Sequence, residues 1–223
     1  MDCRVKSLMT LNDLVIDHWE QGDVTSPDDL VGQVVLVQVI QLNCPGCFLH
    51  ALPEAIRLHR EYRQRGLTVL ALATAFEDFE LNTLQNLQRL VHDREVIGAT
   101  YQALERSCQL DKGRLGWSIP FAVGMDRVVP DLEPVDAERV NRFARQMTPD
   151  YDALNRFDQQ QARQHALLYL RSKRRRAETF DRFELQGTPS SILFDRSGRV
   201  ADIAFARFDH LQPLIEQYLD QAA

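Results

Sequence analysis

The sequence predicts an α/β fold built around a strand–helix–strand unit. Residues 33–42, "QVVLVQVIQL", are rich in β-branched residues, as expected of a central strand covered on both faces. Residues 67–75, "LTVLALATA", have the same character, and Gly66 just before them is a typical helix terminator. Because a helix joins the two strands, we expect them to be parallel. The residues at helical spacing between them are Phe48, Leu52, Ala55, His59 and Tyr62.

Length and composition narrow the possible classes of protein. A chain of 223 residues that is 44% hydrophobic can bury a core as one domain, or as one domain with an insertion. The formal charge of −6 argues against a general role on nucleic acid or on a membrane surface. The N-terminal "MDCRVKSLMTLNDL" lacks a secretory apolar segment, and no apolar run is long enough to span a membrane. We therefore expect a cytoplasmic protein with neither nucleic-acid nor membrane partners.

The remainder of the chain predicts further strands and one irregular region. Residues 119–126 predict a third strand, and residues 189–206 predict two strands joined by a turn. Between them, residues 127–180 are interpreted as an α-helical insertion that packs beside the sheet and includes the helical segment "AERVNRFARQM". Residues 136–177 carry ten basic and five acidic side chains. The expected core is then about 11–126 and 181–221, forming a single domain.

The stretch "NCPGC" places two cysteines where the first strand gives way to the helix. The first turn of a helix has unpaired N–H groups and a dipole that favour negative charge. A thiolate there has its pKa lowered from about 8.5 to roughly 3.5–7.5. This predicts Cys44 as a nucleophile and Cys47 as the residue that resolves a mixed disulfide, while Pro45 and Gly46 limit the geometry of the turn.

Two other interpretations of this pair remain open. Both thiols could be structural, although a strand-to-helix junction is an unusual place for two buried thiols. A zinc site would need two more ligands. His50 continues the spacing as C-x-x-C-x-x-H, but there is no second C-x-x-C, and Cys3 and Cys108 are distant in the sequence. We therefore favour a redox pair and expect no metal.

Three segments together resemble the thioredoxin superfamily, with TlpA-like and AhpC/TSA-like redoxins the closest branch. They are "VGQVVLVQVIQLNCPGC", "GLTVLALAT" and "LQGTPSSILFDRSGRV". The resemblance implies a three-layer sandwich with a central mixed β-sheet, flanking helices and the helical insertion before the cis-proline strand. It also implies a cis Thr188–Pro189 bond that packs against the cysteines, with the backbone of Thr188 available to an extended substrate.

The same resemblance implies the chemistry. The chain would be a thiol–disulfide oxidoreductase that reduces or exchanges disulfides of proteins or small molecules. Its only redox group would be the Cys44–Cys47 disulfide, with no added cofactor, and an electron-donor thiol protein would regenerate the dithiol.

Departures from the family pattern leave two alternatives. Asn43 stands where the family usually has an aromatic residue, and Gln38 stands where thioredoxins carry a buried acid; both argue against a general-purpose thioredoxin. Gln41 and Val37 occupy the Thr/Ser and Pro positions of the peroxiredoxin signature P-x-x-x-T/S-x-x-C, which is therefore absent. The alternatives are a thiol peroxidase that uses Cys44 and a non-catalytic protein that binds partners through its helical insertion.

Several weaker expectations complete the sequence analysis. Asn82 is predicted to cap a helix, Cys108 to be buried on an apolar helix face, and Cys3 to be an idle thiol. Residues 76–82, "FEDFELN", are expected near the cysteines, as a polar cap or as the lining of a substrate groove. The basic run 171–176, "RSKRRR", is expected near a helix end, either as a solvated face or as a docking patch for an acidic partner.

Overall fold

The computed structural model describes residues 9–22 and 26–221. Its strands are β1 (Ile16–Gln21), β2 (Val34–Ile40), β3 (Leu67–Ala73), β4 (Leu110–Asp111), β5 (Arg114–Leu115), β6 (Ala122–Asp126), β7 (Val128–Pro130), β8 (Arg175–Ala177), β9 (Ser190–Phe194) and β10 (Val200–Phe205). A six-stranded sheet has the order β1-β6-β3-β2-β9-β10. Strands β4 with β5 and β7 with β8 form two separate pairs.

The helices flank this sheet or belong to the insertion. They are α1 (Leu52–Tyr62), α2 (Leu84–Gln88), α3 (Gly98–Arg106), α4 (Ala137–Met147), α5 (Arg156–Ser172), α6 (Glu178–Arg182) and α7 (Leu211–Asp220). A π-helical turn, Cys47–Ala51, leads into α1, and a second, Arg89–Asp93, follows α2. Short 3₁₀ turns are Leu11–Asp13, Pro27–Leu30, Arg63–Arg65 and Tyr151–Ala153. Within the described ranges, no helix has the length and apolar character needed to cross a membrane.

The centre of the sheet confirms the predicted mixed α/β architecture. Strands β2 and β3 are parallel, in register from Val34 opposite Leu67 to Ile40 opposite Ala73. On its other side β2 pairs antiparallel with β9. Gly66 ends the connecting helix with a φ of 99°, a left-handed conformation that glycine adopts without steric cost.

Strand β2 separates two apolar layers. Alternate side chains of a strand point to opposite faces, so Val34, Leu36 and Ile40 pack with α1 and α7 in one cluster. Val35, Val37 and Val39 enter the other cluster, which also contains Phe180 and Phe183 from α6 and the turn after it. All seven residues of β2 are buried, which explains why the sequence shows a continuous apolar strand rather than an alternating one.

The insertion leaves and rejoins the core at one place. Strands β7 and β8 pair antiparallel, with Val128 opposite Ala177 and Pro130 opposite Arg175, so that the ends of the excursion meet. Helices α4 and α5 lie beyond this ladder and share a small apolar cluster. Its buried members are Val140, Ala144, Tyr151, Ala166 and Leu170. The basic run 171–176 begins at the end of α5 and continues into β8, so only its first part is helical.

Three predictions on individual residues have different outcomes. Cys108 is exposed, not buried, because α3 ends at Arg106 and Cys108 follows in a left-handed conformation with a φ of 55°. Asn82 does not cap α2; the Thr83 side chain does, by accepting from the backbone N–H of Asn86. Cys3 lies outside the described residues.

Candidate redox site

The two cysteines lie at the carboxyl end of β2, where the chain turns into a helix. Helical backbone begins at Pro45, directly after Cys44, and the π-helical turn begins at Cys47. The backbone N–H of Cys47 donates to the carbonyl of Cys44 at 3.1 Å, closing the turn. π-helical turns occur often at functional sites, and this one lies directly on the C-x-x-C segment.

The Cys44 thiol is half-buried at the first turn of this helix. Its pKa is lowered to about 6, chiefly because the Cys47 thiol donates a hydrogen bond to the thiolate. Desolvation opposes this, whereas the Thr188 side chain and the backbone N–H groups of Cys47 and Gly46 lower the pKa further. The N–H groups at the start of the helix therefore help to lower the pKa of Cys44, as the sequence predicts, but the hydrogen bond from Cys47 lowers it more.

Cys47 has the opposite environment. Its side chain is buried among the apolar residues under α1, and this burial is the main reason why its pKa is raised. Its hydrogen bond to Cys44 and the negative charge that develops there raise the pKa further. At neutral pH the pair therefore favours one thiolate at Cys44 beside one protonated thiol at Cys47.

The loop before β9 covers the accessible sulfur. The Thr188–Pro189 bond is cis, as the resemblance implies, and the Cys44 thiol donates to the carbonyl of Thr188 at 3.4 Å. A Cβ added to Gly46 would lie 3.5 Å from Cδ of Pro189, so the proline ring packs directly over the C-x-x-C turn. Residues separated by about 140 positions in the sequence therefore meet at one sulfur.

Comparisons with known proteins agree with this architecture. No protein-family model matches the chain, and no curated protein matches it. Among solved structures, a thiol-disulfide isomerase from Corynebacterium glutamicum is 23% identical, with 94% of this chain and 95% of that chain covered and a TM-score of 0.57. A thioredoxin-like superfamily protein is 22% identical, with coverage of 96% and 99% and a TM-score of 0.58. The chain has a thioredoxin-like fold.

Within this thioredoxin-like fold, hydrogen bonds hold the residue just before the first cysteine. The Asn43 side chain donates from Nδ2 to Oδ2 of Asp78 at 2.7 Å and accepts at Oδ1 from the backbone N–H of Ala99 at 2.7 Å. Gly98 leaves room for this contact, since a Cβ there would lie 2.2 Å from the Asn43 oxygen. Asn43 thus ties the C-x-x-C turn to the start of α3.

Asn82 is a positioning residue that sequence reasoning missed. Its buried side chain accepts from the backbone N–H groups of Leu42 at 2.7 Å and Asn43 at 3.3 Å, and donates to the carbonyls of Glu77 and Asp78. Segment 76–82 therefore lies beside the cysteines, as predicted from its place after β3. Nothing in the local sequence pattern distinguishes an asparagine in this role from a helix cap.

Gln41 links two loops of the site. Its Nε2 donates to the carbonyl of Glu77 at 3.1 Å, and its Oε1 accepts from the Thr188 hydroxyl at 3.0 Å. Gln38 is buried and donates to the carbonyl of Ser190 at 2.9 Å, so it fixes the start of β9. An amide side chain does not titrate, and this position therefore supplies no proton acceptor beneath the cysteines.

Among the described residues, one buried acid is Asp126, at the end of β6. Its pKa is raised to about 6, because burial outweighs the hydrogen bonds that it accepts. Those come from the Thr74 hydroxyl at 2.8 Å and the backbone N–H groups of Thr179 at 2.9 Å and Phe180 at 3.1 Å. Asp126 therefore joins β3, β6 and the first turn of α6, and none of these bonds reaches the cysteines.

Metal-ligand geometry is not found in the described part of the chain. Among residues 9–22 and 26–221, no three His, Cys, Asp or Glu side chains are grouped so that they could hold a metal ion. His50, which continues the C-x-x-C-x-x-H spacing, is exposed. The chemical groups collected at the site are two thiols of different pKa, a carbonyl and a hydroxyl.

Proposed function

We propose that the chain is a thiol–disulfide oxidoreductase in which Cys44 attacks a disulfide and Cys47 resolves the mixed disulfide. The observation that supports this most is the pKa of Cys44, lowered to about 6 at a half-buried sulfur beside a cis-proline loop. Thiolate is the form that attacks disulfides, and a nucleophile of this pKa is mostly ionised at pH 7.

In the proposed reaction the Cys44 thiolate attacks one sulfur of the substrate disulfide. The substrate S–S bond breaks, a Cys44–substrate disulfide forms, and the other substrate sulfur leaves as a thiolate. Cys47 then loses its proton and attacks Cys44 Sγ, which forms the Cys44–Cys47 disulfide and releases the second substrate sulfur. Two electrons pass from the cysteine pair to the substrate, and a donor dithiol returns the pair to its reduced form.

In the second step the proton of Cys47 must move to a base, and the described residues place no buried acid beneath the cysteines to accept it. Cys47 must be deprotonated although burial raises its pKa, and Gln38 offers no group that accepts a proton. The substrate thiolate released in the first step is a base formed within the same complex. We therefore assign it the proton, so that resolution depends on a leaving thiol that remains bound after the first step.

Reduction of insulin by the purified chain with a dithiol reductant tests the proposal. Wild-type protein should accelerate the reaction, and Cys44→Ser should remove the acceleration. Cys108→Ser is the matched control, because Cys108 is exposed but is outside the site. Equal activity in wild-type and Cys44→Ser protein would contradict the proposal.

The proposal includes partners and conditions that need their own tests. We assign protein disulfides as substrates, a thiol protein as electron donor and a cytoplasmic location, with no cofactor beyond the cysteine pair. The competing chemistry is peroxide reduction at Cys44. Stopped-flow oxidation distinguishes the two, since a peroxidase must react with peroxide much faster than free cysteine does.

A further inference from the structure

A cavity of about 860 Å³ lies between the thioredoxin-like core and the helical insertion. On the core side it is lined by the loop after β3, by α6 and by residues 184–186, just before the cis-proline loop. On the insertion side it is lined by α4 and α5. Pockets of about 300–1,000 Å³ typically enclose a drug-sized ligand, so this one can receive a short peptide segment.

Two stacked aromatic pairs line the cavity. On the core side Phe76 stacks on Phe180 with ring centroids 4.3 Å apart. On the insertion side Phe143 stacks on Tyr169 with centroids 5.0 Å apart. All four side chains line the cavity, and aromatic faces attract both apolar groups and cations.

The positively charged side chains that line the cavity are already paired. Arg139 and Arg142 bind acids of segment 131–133, and Lys173 binds Asp181 at 3.0 Å. The two remaining cations also lie within 4.0 Å of a carboxylate: Arg176 beside Glu178 and Arg182 beside Asp13. Apart from His165, every basic side chain of the lining within the described ranges therefore has an acidic partner.

Three carboxylates in the same lining have no ion-pair partner among the described residues: Glu77, Asp158 and Glu184. Burial raises the pKa of Glu77, with a further contribution from the charge of Asp78. The pKa of Tyr169 is raised to about 12, first by burial and then by the charges of Asp181, Glu77 and Asp131. The unpaired charge in the cavity is therefore negative. The exposed Arg171, Arg174 and Arg175 do not line it.

A short series of contacts connects the cavity to Cys44. Glu77 lines the cavity, and its carbonyl accepts from Gln41, whose Oε1 accepts from the Thr188 hydroxyl. The carbonyl of Thr188 accepts from the Cys44 thiol. Gln186, two residues before Thr188, also lines the cavity. One edge of the cavity therefore adjoins the loop that covers Cys44, within reach of a segment next to a disulfide held there.

We propose that this cavity binds a segment of the substrate protein next to its disulfide, and that it selects segments bearing lysine or arginine. The aromatic pairs contact the aliphatic part of such a side chain, and the unpaired carboxylates neutralise its charge. This inference rests on the proposed function for its substrate, and it adds a sequence preference that the cysteine pair alone does not supply.

The test uses three disulfide-linked peptides of equal length in which the residues flanking the cysteine are lysine, glutamine or glutamate. We expect kcat/KM to be highest for the lysine peptide and lowest for the glutamate peptide. Glu77→Gln and Glu184→Gln should each reduce the lysine-to-glutamine ratio by about three- to fivefold, the size expected for one partly exposed ion pair. Glu80→Gln, in the same loop but outside the cavity lining, is the control and should leave the ratio unchanged.

A binding measurement separates this inference from the proposed function. The measurement is a calorimetric titration of the Cys44→Ser/Cys47→Ser protein. The ligands are the same three peptides with the disulfide replaced by a thioether, so binding needs no redox chemistry. Preferential binding of the lysine peptide that Glu77→Gln weakens would support the cavity inference even if wild-type protein reduced nothing. Equal binding and equal reduction of all three peptides would overturn the cavity inference while leaving the oxidoreductase proposal intact.

Discussion

The core and the helical insertion are stabilised in different ways. In the core, β2 is buried on both faces between two large apolar clusters. In the insertion, a small apolar cluster between α4 and α5 is supplemented by ion pairs, of which Arg139–Asp131 is buried and Arg142–Glu133 and Arg145–Asp152 are exposed. The geometry at the sulfurs therefore depends on apolar packing and on hydrogen bonds such as those of Gln41 and Asn82, whereas the insertion is stabilised in large part by ion pairs.

This difference assigns two tasks to two parts of the chain. The proposed reaction needs fixed positions for the cysteines and the cis-proline loop, and the packed core around β2 provides them. The insertion contributes one wall of the cavity. Under the proposed function, the core carries the thiol chemistry and the contact between core and insertion selects the substrate.

The largest expected effect is on turnover and lies entirely in the core. Cys47→Ser should lower the rate of repeated disulfide reduction by at least about a thousandfold, because the mixed disulfide at Cys44 is no longer resolved. Intact-protein mass spectrometry should show one substrate molecule attached to the variant. Cys108→Ser in the same assay should behave like wild type. Normal turnover by Cys47→Ser would show that an external thiol performs the second step.

The next effect tests how far the insertion depends on its buried charge. Arg139 is 7% exposed and its partner Asp131 is 1% exposed, so Arg139→Met should leave an uncompensated carboxylate. We expect a loss of about 3–5 kcal/mol in the free energy of unfolding of this segment. Arg142→Met is the control, because Arg142 is 55% exposed and its pair should contribute less than about 1 kcal/mol.

Hydrogen exchange of the amides of α4 measures both losses locally, and urea unfolding measures any effect on the whole chain. Equal protection of α4 in the two variants would contradict the view that the buried pair stabilises the insertion.

A smaller effect is expected at the boundary between the two regions. Asp126→Asn should lower the free energy of unfolding by about 2 kcal/mol, because one of the three hydrogen-bond donors around Asp126 would then face an amide NH₂ group.

The raised pKa of Asp126 means that the native state binds more protons than the unfolded state between about pH 4 and 6. The stability that Asp126 contributes therefore falls as the pH rises through this range. Urea unfolding at pH 4 to 7 should show the difference between wild type and variant shrinking, and a growing difference would contradict this sign.

The smallest effect is the pH dependence of alkylation at Cys44. With a pKa of about 6, the rate of reaction with iodoacetamide should rise about tenfold per pH unit below pH 6 and level off above it. A Cys3→Ser/Cys108→Ser background leaves Cys44 and Cys47 as the two remaining thiols. A midpoint near pH 8.5, the ordinary value for cysteine, would show that the Cys47 hydrogen bond does not stabilise the thiolate.

Local periodicity explains what the sequence predicted well. The segment "AERVNRFARQM" forms α4 with the predicted bounds, and both strands of the 189–206 hairpin are present. The C-x-x-C pair is equally visible, since its spacing and its place after a buried strand are local features. The prediction for Cys108 is wrong because α3 ends at Arg106, so the helical periodicity does not reach Cys108.

Contacts between distant segments explain what the sequence did not reveal. Gln41 and Asn82 position the site through hydrogen bonds across about 35 to 150 residues, and either side chain would be unremarkable on a surface. Asp126 is equally ordinary at the end of a strand. The cavity depends on how α4 and α5 pack against α6, which no periodic pattern determines.

The β7–β8 ladder has a consequence for how the chain could be rebuilt. Because Pro130 and Arg175 are opposite each other, a tight turn could replace everything between them without moving β6 or α6. The shortened protein would keep the cysteines and the cis-proline loop and lose the wall of the cavity that α4 and α5 form. Other helical pairs could be joined at the same junction, which makes the β7–β8 ladder a site for exchanging one wall of the cavity without altering the sheet.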